Sequence, residues 1–246
     1  SVAAMLAVAP PRPVPPTLAP SARALSDGEP VLIFDAADRE AETDLVFLSE
    51  RATPELIRLA RKDAGGLICT AISDELRSRL ALPFFSDLLQ IARKEYPSVA
   101  DLAERPRYDR RSAFGITINH RANFTGVPDN DRSLTIRTVG TIARAAPTLT
   151  DEALRGRFRE AFVSPGHVQL LYSAPGLFEE RKGHTELAIS LARMAGLSES
   201  VTVCEMLGDS GGARAPAAAR AYAEDHGFPF LEGRAIVEAW RRWSSA

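Results

Sequence analysis

Four acidic residues recur at every second position in one short segment: Asp38, Glu40, Glu42 and Asp44. If this segment is extended, all four side chains point to one face, where their charges repel unless a cation or an arginine neutralises them. A hard divalent metal such as Mg²⁺ meets that need, because it takes a few carboxylates and keeps several waters. The alternative is a solvated acidic loop. Apolar runs at 31–34 and 45–48 argue against it, since they hold the segment near the core.

A basic turn that contains a glycine precedes an amphipathic helix pattern at 181–186. The N–H groups at a helix start bind anions, phosphate above all. Arg181 and Lys182 add positive charge, and Gly183 lets the backbone approach closely. His184, on the same turn, is a candidate metal ligand. The turn therefore indicates a phosphate site, with an ordinary capped helix start as the alternative.

Three further positions carry weaker signals. His167 follows Ser-Pro-Gly on a predicted tight turn before a strand, where a histidine has a structural or a catalytic role. Glu205 ends an apolar strand pattern, where a carboxylate is costly without a partner, so it is a candidate general base or a salt-bridged edge residue. Thr125 lies in a turn before a predicted helix.

The helices and strands that position these residues are predicted to alternate along the chain. Strands are predicted at 31–34, 67–72, 113–119, 168–172 and 201–206, and helices at 83–96, 133–145, 184–195, 215–226 and 234–243. A further helix starts at Thr53-Pro54-Glu55 and ends at Gly65-Gly66. Residues 97–112 are predicted to cross the surface. The short intervals favour one α+β domain with a mixed β-sheet over 23–246, and a flexible Pro-rich leader over 1–22.

Composition excludes several classes of protein. The chain has 246 residues, of which 45% are hydrophobic, and its net charge of −2 gives no general attraction to nucleic acid or to an anionic membrane. No window reaches the roughly 20 apolar residues of a membrane span. Two cysteines, Cys69 and Cys204, cannot form a disulfide framework, and their apolar surroundings suit the reducing cytoplasm.

Six motifs occur in an order and spacing that resemble the 3,4-dihydroxy-2-butanone 4-phosphate synthase family, closest to its archaeal form, from about residue 23 to 243. They are Asp38-Arg39-Glu40-Ala41-Glu42-Thr43-Asp44, Asp63-Ala64-Gly65-Gly66-Leu67-Ile68-Cys69, Phe124-Thr125-Gly126 with Asp131-Arg132, Pro165-Gly166-His167-Val168, Arg181-Lys182-Gly183-His184-Thr185-Glu186, and Cys204-Glu205. The resemblance implies a cytoplasmic lyase of riboflavin biosynthesis that converts ribulose 5-phosphate to 3,4-dihydroxy-2-butanone 4-phosphate plus formate. It also implies Mg²⁺ or Mn²⁺, with two ions per site, and a homodimer with sites near the interface, on a layered α/β sandwich. Without a fused second domain, the expected form is the stand-alone synthase.

The resemblance also implies roles for single residues. Glu40 and His184 would hold the metal. Arg39 and Asp44 would contact the sugar, with Asp44 also catalytic, and Cys69 and Thr125 would lie near the substrate. The phosphate would be held by Arg181, Lys182, Gly183, His184 and Thr185. His167 and Glu205 would be the acid–base residues, with Glu205 also contacting the substrate.

Two departures from the family pattern and two rival functions stay open. Ala41 stands where the archaeal pattern often has Gly, and Tyr172 where an arginine is common. The rivals are another metal-dependent sugar-phosphate lyase or isomerase, and a catalytically silent relative that binds a partner.

Overall fold

A mixed sheet forms the centre of the molecule. The computed structural model describes residues 12–102 and 111–246, and the seven strands within those ranges share one sheet in the order β4-β5-β3-β6-β2-β1-β7. The strands are β1 (Val31–Phe34), β2 (Thr43–Leu48), β3 (Cys69–Ile72), β4 (Phe114–His120), β5 (Phe162–Tyr172), β6 (Ser200–Glu205) and β7 (Phe230–Glu232). β3 pairs parallel with β5, and β1 pairs parallel with β7, whereas the other neighbours are antiparallel.

Helices cover both faces of the sheet. They are α1 (Ala19–Ser26), α2 (Pro54–Leu59), α3 (Asp74–Arg79), α4 (Phe85–Ala92), α5 (Pro97–Leu102), α6 (Asp129–Ala145), α7 (Asp151–Ala161), α8 (His184–Met194), α9 (Pro216–His226) and α10 (Gly233–Ser244). One apolar core joins the sheet to α2, α6 and α9, and a second joins the opposite face to α1, α8 and α10. The predicted layered α/β sandwich with a mixed sheet is therefore confirmed. Within the described ranges, no helix combines the length and apolar character needed to cross a bilayer.

Residues at the ends of the helices explain where several of these elements begin or end. Thr53 caps α2 by accepting the N–H of Leu56 at 3.2 Å, and the following helical turn ends at Gly65, whose φ is 89°. α6 begins four residues before the predicted start, and β5 begins six residues before its predicted start. The sequence patterns do not predict α1, α3, α7, β2 or β7, and α5 lies where a surface crossing is expected, although Ser73 and Thr150 each cap a helix in the same way as Thr53.

The amino-terminal segment differs from the expected flexible leader. Residues 1–11 of that leader lie outside the described ranges. Residues Pro16–Leu18 form a helical turn, α1 follows directly, and Leu18 is fully buried in the core beside α10. The burial of Leu18 orders this part of the chain, so the folded region begins before residue 23. Residues 103–110 of the predicted surface crossing also lie outside the described ranges.

Four hydroxyl side chains form a buried chain of hydrogen bonds at the centre of the sheet. Ser49 and Thr202 hydroxyls lie 3.0 Å apart, Thr202 and Thr70 lie 3.1 Å apart, and Ser200 donates to Ser49 at 2.9 Å. All four side chains are fully buried. Because each hydroxyl has a partner within the group, these polar atoms are accommodated between apolar neighbours.

Candidate active site

A cavity of about 530 Å³ opens where β2 and β6 meet the start of α8. We call it the site cavity. Its charged and polar lining consists of Arg39, Glu40, Glu42, Asp44, Ser112, Arg181, His184, Thr185 and Glu205. The acidic segment, the basic turn and the end of β6, which are far apart in the sequence, thus contribute to one cavity. Part of the cavity lining is apolar and consists of Phe114, Leu171 and Val203. The sequence does not predict these three residues as part of a site, because they look like ordinary strand residues.

The acidic segment folds into a turn and is not extended before residue 43. The buried carboxylate of Asp35 accepts the N–H of Glu40 at 3.0 Å and that of Glu42 at 3.1 Å, which closes the turn. The alternation prediction is therefore wrong for Asp38, which lines a neighbouring cavity, whereas Glu40, Glu42 and Asp44 reach the site cavity. Ala41 has φ of 56°, in the left-handed region, which explains why glycine suits this position.

His184 lies among the carboxylates at the first position of α8. Its Nδ1 is 3.6 Å from Glu40 Oε2, its Nε2 is 3.6 Å from Asp44 Oδ1, and Nε2 donates to the carbonyl oxygen of Glu42 at 3.0 Å. Burial alone would lower the pKa of His184, but the neighbouring carboxylates, Asp44 foremost, outweigh burial and raise it to about 9. The hydrogen bond with His184 in turn lowers the pKa of Glu40 to about 2. At neutral pH the two side chains therefore form an ion pair, in which His184 is buried and Glu40 is half-buried.

Asp44 and Glu205 lie side by side. They are direct partners across the β2–β6 ladder, so both side chains point to the same face of the sheet. Burial raises the pKa of Asp44 to about 7, and the nearby Glu205 and Glu40 charges add to that rise. A carboxyl group that titrates near neutral pH is suited to general acid–base work.

The backbone after α2 holds Glu205 in place. The N–H of Leu67 donates to Glu205 Oε2 at 2.8 Å, and the N–H of Gly66 donates to the Glu205 carbonyl oxygen at 3.0 Å. A Cβ on Gly66 would overlap Glu205 Oε2, so this close approach requires glycine. The predicted Gly-Gly stop of the helix thus also forms part of the site.

Two arginines converge on the start of α8. A Cβ on Gly183 would lie 2.9 Å from Arg39 Nη2 and 3.1 Å from Arg181 Cζ, so the missing side chain leaves room for both guanidinium groups. Glu186, fully buried, accepts the N–H of Gly183 at 3.1 Å and that of Ala174 at 2.9 Å, which fixes the turn. With Thr185 on the cavity wall, the helix start and the arginines make a site for an anion.

Five of the predicted residues do not line the site cavity of their own chain. Cys69 is buried opposite Val203 on β6, and burial raises the pKa of its thiol, so the thiol stays neutral. His167 lies within β5, in place of the predicted turn, and its side chain is exposed. Thr125 is exposed in the turn before α6. Lys182 and Gly183 contribute to the turn, with Lys182 facing the neighbouring cavity.

The site has the chemistry of an enzyme that moves protons on a small anionic substrate. A family model for 3,4-dihydroxy-2-butanone 4-phosphate synthase matches residues 21–239. A synthase of that name from Methanosarcina mazei is 44% identical over 228 residues, with 90% of each chain covered. The chain therefore belongs to the 3,4-dihydroxy-2-butanone 4-phosphate synthase family, and the enzyme class that its motifs predicted is confirmed.

Solved structures share this architecture. The synthase from Candida albicans superposes with a TM-score of 0.66 at 27% identity, covering 92% of this chain and 97% of that one. A structure of a synthase in complex with two magnesium ions gives a TM-score of 0.66 at 23% identity, covering 87% and 91% of the two chains, and supports the fold.

Proposed function

We propose that the protein converts D-ribulose 5-phosphate to L-3,4-dihydroxy-2-butanone 4-phosphate and formate in riboflavin biosynthesis. The observation that carries this proposal is the adjacent pair Asp44 and Glu205, which faces His184 and opens toward the anion site at the start of α8. Family membership supplies the reaction, and the site supplies groups that fit each part of it. The free thiols of the two buried cysteines agree with a cytoplasmic location.

The donor set fits a divalent cation of the Mg²⁺ or Mn²⁺ type. Ligand atoms of Asp35, Glu40 and His184 lie within 4.8 Å of one another, and carboxylate oxygens with an imidazole nitrogen suit such ions. Both oxygens of Asp35 already accept backbone N–H groups, so Glu40 and His184 would be the ligands and Asp35 would position Glu40. When bound, the cation would polarise the ketone and adjacent hydroxyl oxygens of the sugar. Two ions per site are part of this proposal.

The basic turn would anchor the substrate phosphate. Arg181, His184 and Thr185 line the site cavity at the start of α8, Gly183 is the residue before that helix, and Lys182 adds a positive charge to the same turn. Arg39, whose side chain also reaches this turn, would contact the sugar between the phosphate and the carboxylates. Binding energy at the phosphate then positions the reacting carbons beside Asp44 and Glu205.

Proton transfer at the sugar would be carried out by the chain's own carboxylates. Glu205 or Asp44 removes the proton next to the ketone, which gives an enediol, and the protonated carboxyl then assists the departure of a hydroxyl as water. The carbon skeleton rearranges, and one carbon leaves as formate after water is taken up again. Substrate and products balance in atoms and electrons, so the reaction needs no redox cofactor.

A homodimer would bring two further predicted residues, His167 and Thr125, to the site. His167 and Thr125 do not line the site cavity of their own chain, yet both are exposed and available to a second copy. Leu67, Phe124 and Leu207 are large apolar side chains that are exposed, as an interface requires. We therefore propose that the partner subunit completes the acid–base set with its own His167.

Formate release from ribulose 5-phosphate in the presence of Mg²⁺ tests the proposed function. Glu205→Gln is expected to lower kcat at least a hundredfold, while Glu224→Gln, on an exposed face of α9, should match the parent protein. Consumption of the sugar phosphate without formate would favour another lyase or isomerase. No consumption at any Mg²⁺ concentration would favour a silent binding relative.

A further inference from the structure

Asn119 lies on β4 between His167 and Thr125, two of the predicted site residues that do not line the site cavity. Its Oδ1 accepts the backbone N–H of His167 at 2.8 Å. Its Nδ2 lies 3.2 Å from Nδ1 of the His167 ring and 3.5 Å from the carbonyl oxygen of Thr125. One half-buried amide thus contacts both residues, which stand 42 positions apart in the sequence.

The partners of Asn119 fix the orientation of its amide group. A backbone N–H only donates, so the amide atom that faces the N–H of His167 must be the oxygen. A backbone carbonyl only accepts, so the atom that faces the Thr125 carbonyl must be the nitrogen. Exchange of the two amide atoms would place a donor against a donor and an acceptor against an acceptor, so a single orientation is compatible with both partners.

The orientation of the amide determines the tautomer of His167. Because Nδ2 of Asn119 donates toward the ring, Nδ1 of the neutral imidazole must accept. The single ring proton then lies on Nε2, which is the nitrogen directed away from β4. The ring is held as a donor at Nε2 when neutral, as a general acid or a hydrogen-bond donor to substrate requires.

The turn that carries Thr125 closes tightly around Asn119. The N–H groups of Thr125 and Gly126 donate to Asp131 Oδ2 at 3.3 and 2.9 Å, which fixes the turn to the start of α6. Gly126 has φ of 98°, and a Cβ at this position would overlap the Asn119 amide. The backbone is therefore shaped to accept the amide of residue 119.

We propose that Asn119 is a positioning residue that holds His167 in the Nε2–H tautomer and joins it to the Thr125 turn. Nothing in the sequence pattern distinguishes Asn119 from the other polar residues of β4. The consequence for turnover rests on the proposed function, whereas the tautomer assignment does not.

NMR of the histidine rings in the 246-residue chain tests the tautomer directly. The chain has four histidines, and His167→Gln assigns the relevant signals in a long-range ¹H–¹⁵N spectrum at pH 8.5. The parent protein should show Nε2 protonated and Nδ1 bare. Asn119→Asp, of nearly equal size, places a carboxylate oxygen against Nδ1 and should move the proton to Nδ1. A parent ring protonated at Nδ1, or an unchanged spectrum in Asn119→Asp, would overturn the proposal.

Formate kinetics test whether this tautomer matters. Asn119→Ala is expected to lower kcat about fivefold, the effect of one lost hydrogen bond, and Asn119→Asp at least as much, with KM for ribulose 5-phosphate little changed. Asn130→Ala and Asn130→Asp, on the exposed surface of α6, are the matched controls and should leave both constants unchanged. A moved proton with parental kcat would refute the positioning role while formate production still stands. Absence of formate from the parent would refute the proposed function, and the NMR result would still decide the tautomer.

Discussion

Binding of Mg²⁺ to His184 is expected to expel a proton from the site. A metal ligand must be a neutral imidazole, but carboxylates raise the pKa of His184 to about 9, so the ring of the metal-free protein is protonated at neutral pH. At pH 8 the protonated form exceeds the neutral form about tenfold, and binding should release about 0.9 proton. At pH 9.5 the release should fall to about 0.25 proton, and the apparent affinity should rise about eightfold. Asp44, with a pKa of about 7, is already about nine-tenths ionised at pH 8 and adds little.

Calorimetric titration of Mg²⁺ in buffers of different ionisation enthalpy measures this release. His184→Gln should bind Mg²⁺ more weakly and release almost no proton, whereas His226→Gln, which removes an exposed histidine of α9, should behave as the parent. Release of less than about 0.3 proton at pH 8 by the parent, or an affinity independent of pH between 8 and 9.5, would refute the assignment of His184 as a protonated ligand.

Three substitutions test the remaining contacts. Gly66→Ala should lower kcat for formate production at least tenfold, because its Cβ displaces the Glu205 carboxylate. Circular dichroism should show that the fold of this variant is unchanged. Asp44→Asn should abolish turnover yet raise the free energy of unfolding in EDTA by about 2–4 kcal/mol at pH 8. Because the Asp44 pKa rises from 3.8 to about 7 on folding, ionised Asp44 lowers the free energy of unfolding, and this cost is absent below pH 4 and complete above pH 7. The gain in the variant should therefore appear in urea titrations at pH 8 and not at pH 4. Ala41→Gly should raise the free energy of unfolding by up to about 1 kcal/mol, because glycine adopts a left-handed φ without strain. Ala81→Gly, also at φ of 56°, should raise it as much without any change in formate production.

The sequence predicts those parts of the site that depend on local patterns. The capped start of α2, the start of α8 at His184 and the end of β6 at Glu205 follow from residues within one turn or one strand of each other. The acidic segment shows the limit of such reasoning. Its alternation is typical of an extended strand, but the N–H groups of Glu40 and Glu42 donate to Asp35 and close the segment into a turn before residue 43.

Contacts between distant segments could not be predicted. In the sequence Leu18 belongs to a Pro-rich leader, but in the fold it packs against α10, which buries it. Asn119 has no distinguishing neighbour in the sequence, since His167 and Thr125 reach it only through the pairing of β4 with β5 and the turn before α6. Local patterns therefore identified candidate residues, while tertiary contacts determined which of them meet.

The buried hydroxyl chain at the far end of β6 has a consequence for the fidelity of folding. A slip of β6 by one residue would turn Thr202 toward the opposite core and leave Ser49 and Thr70 without their shared partner, in an apolar layer where each orphaned hydroxyl costs about 1–3 kcal/mol. The same slip would turn Glu205 away from Asp44. The hydroxyl chain at one end of the strand therefore disfavours stable misaligned molecules that would lack Glu205 in the site cavity at the other end.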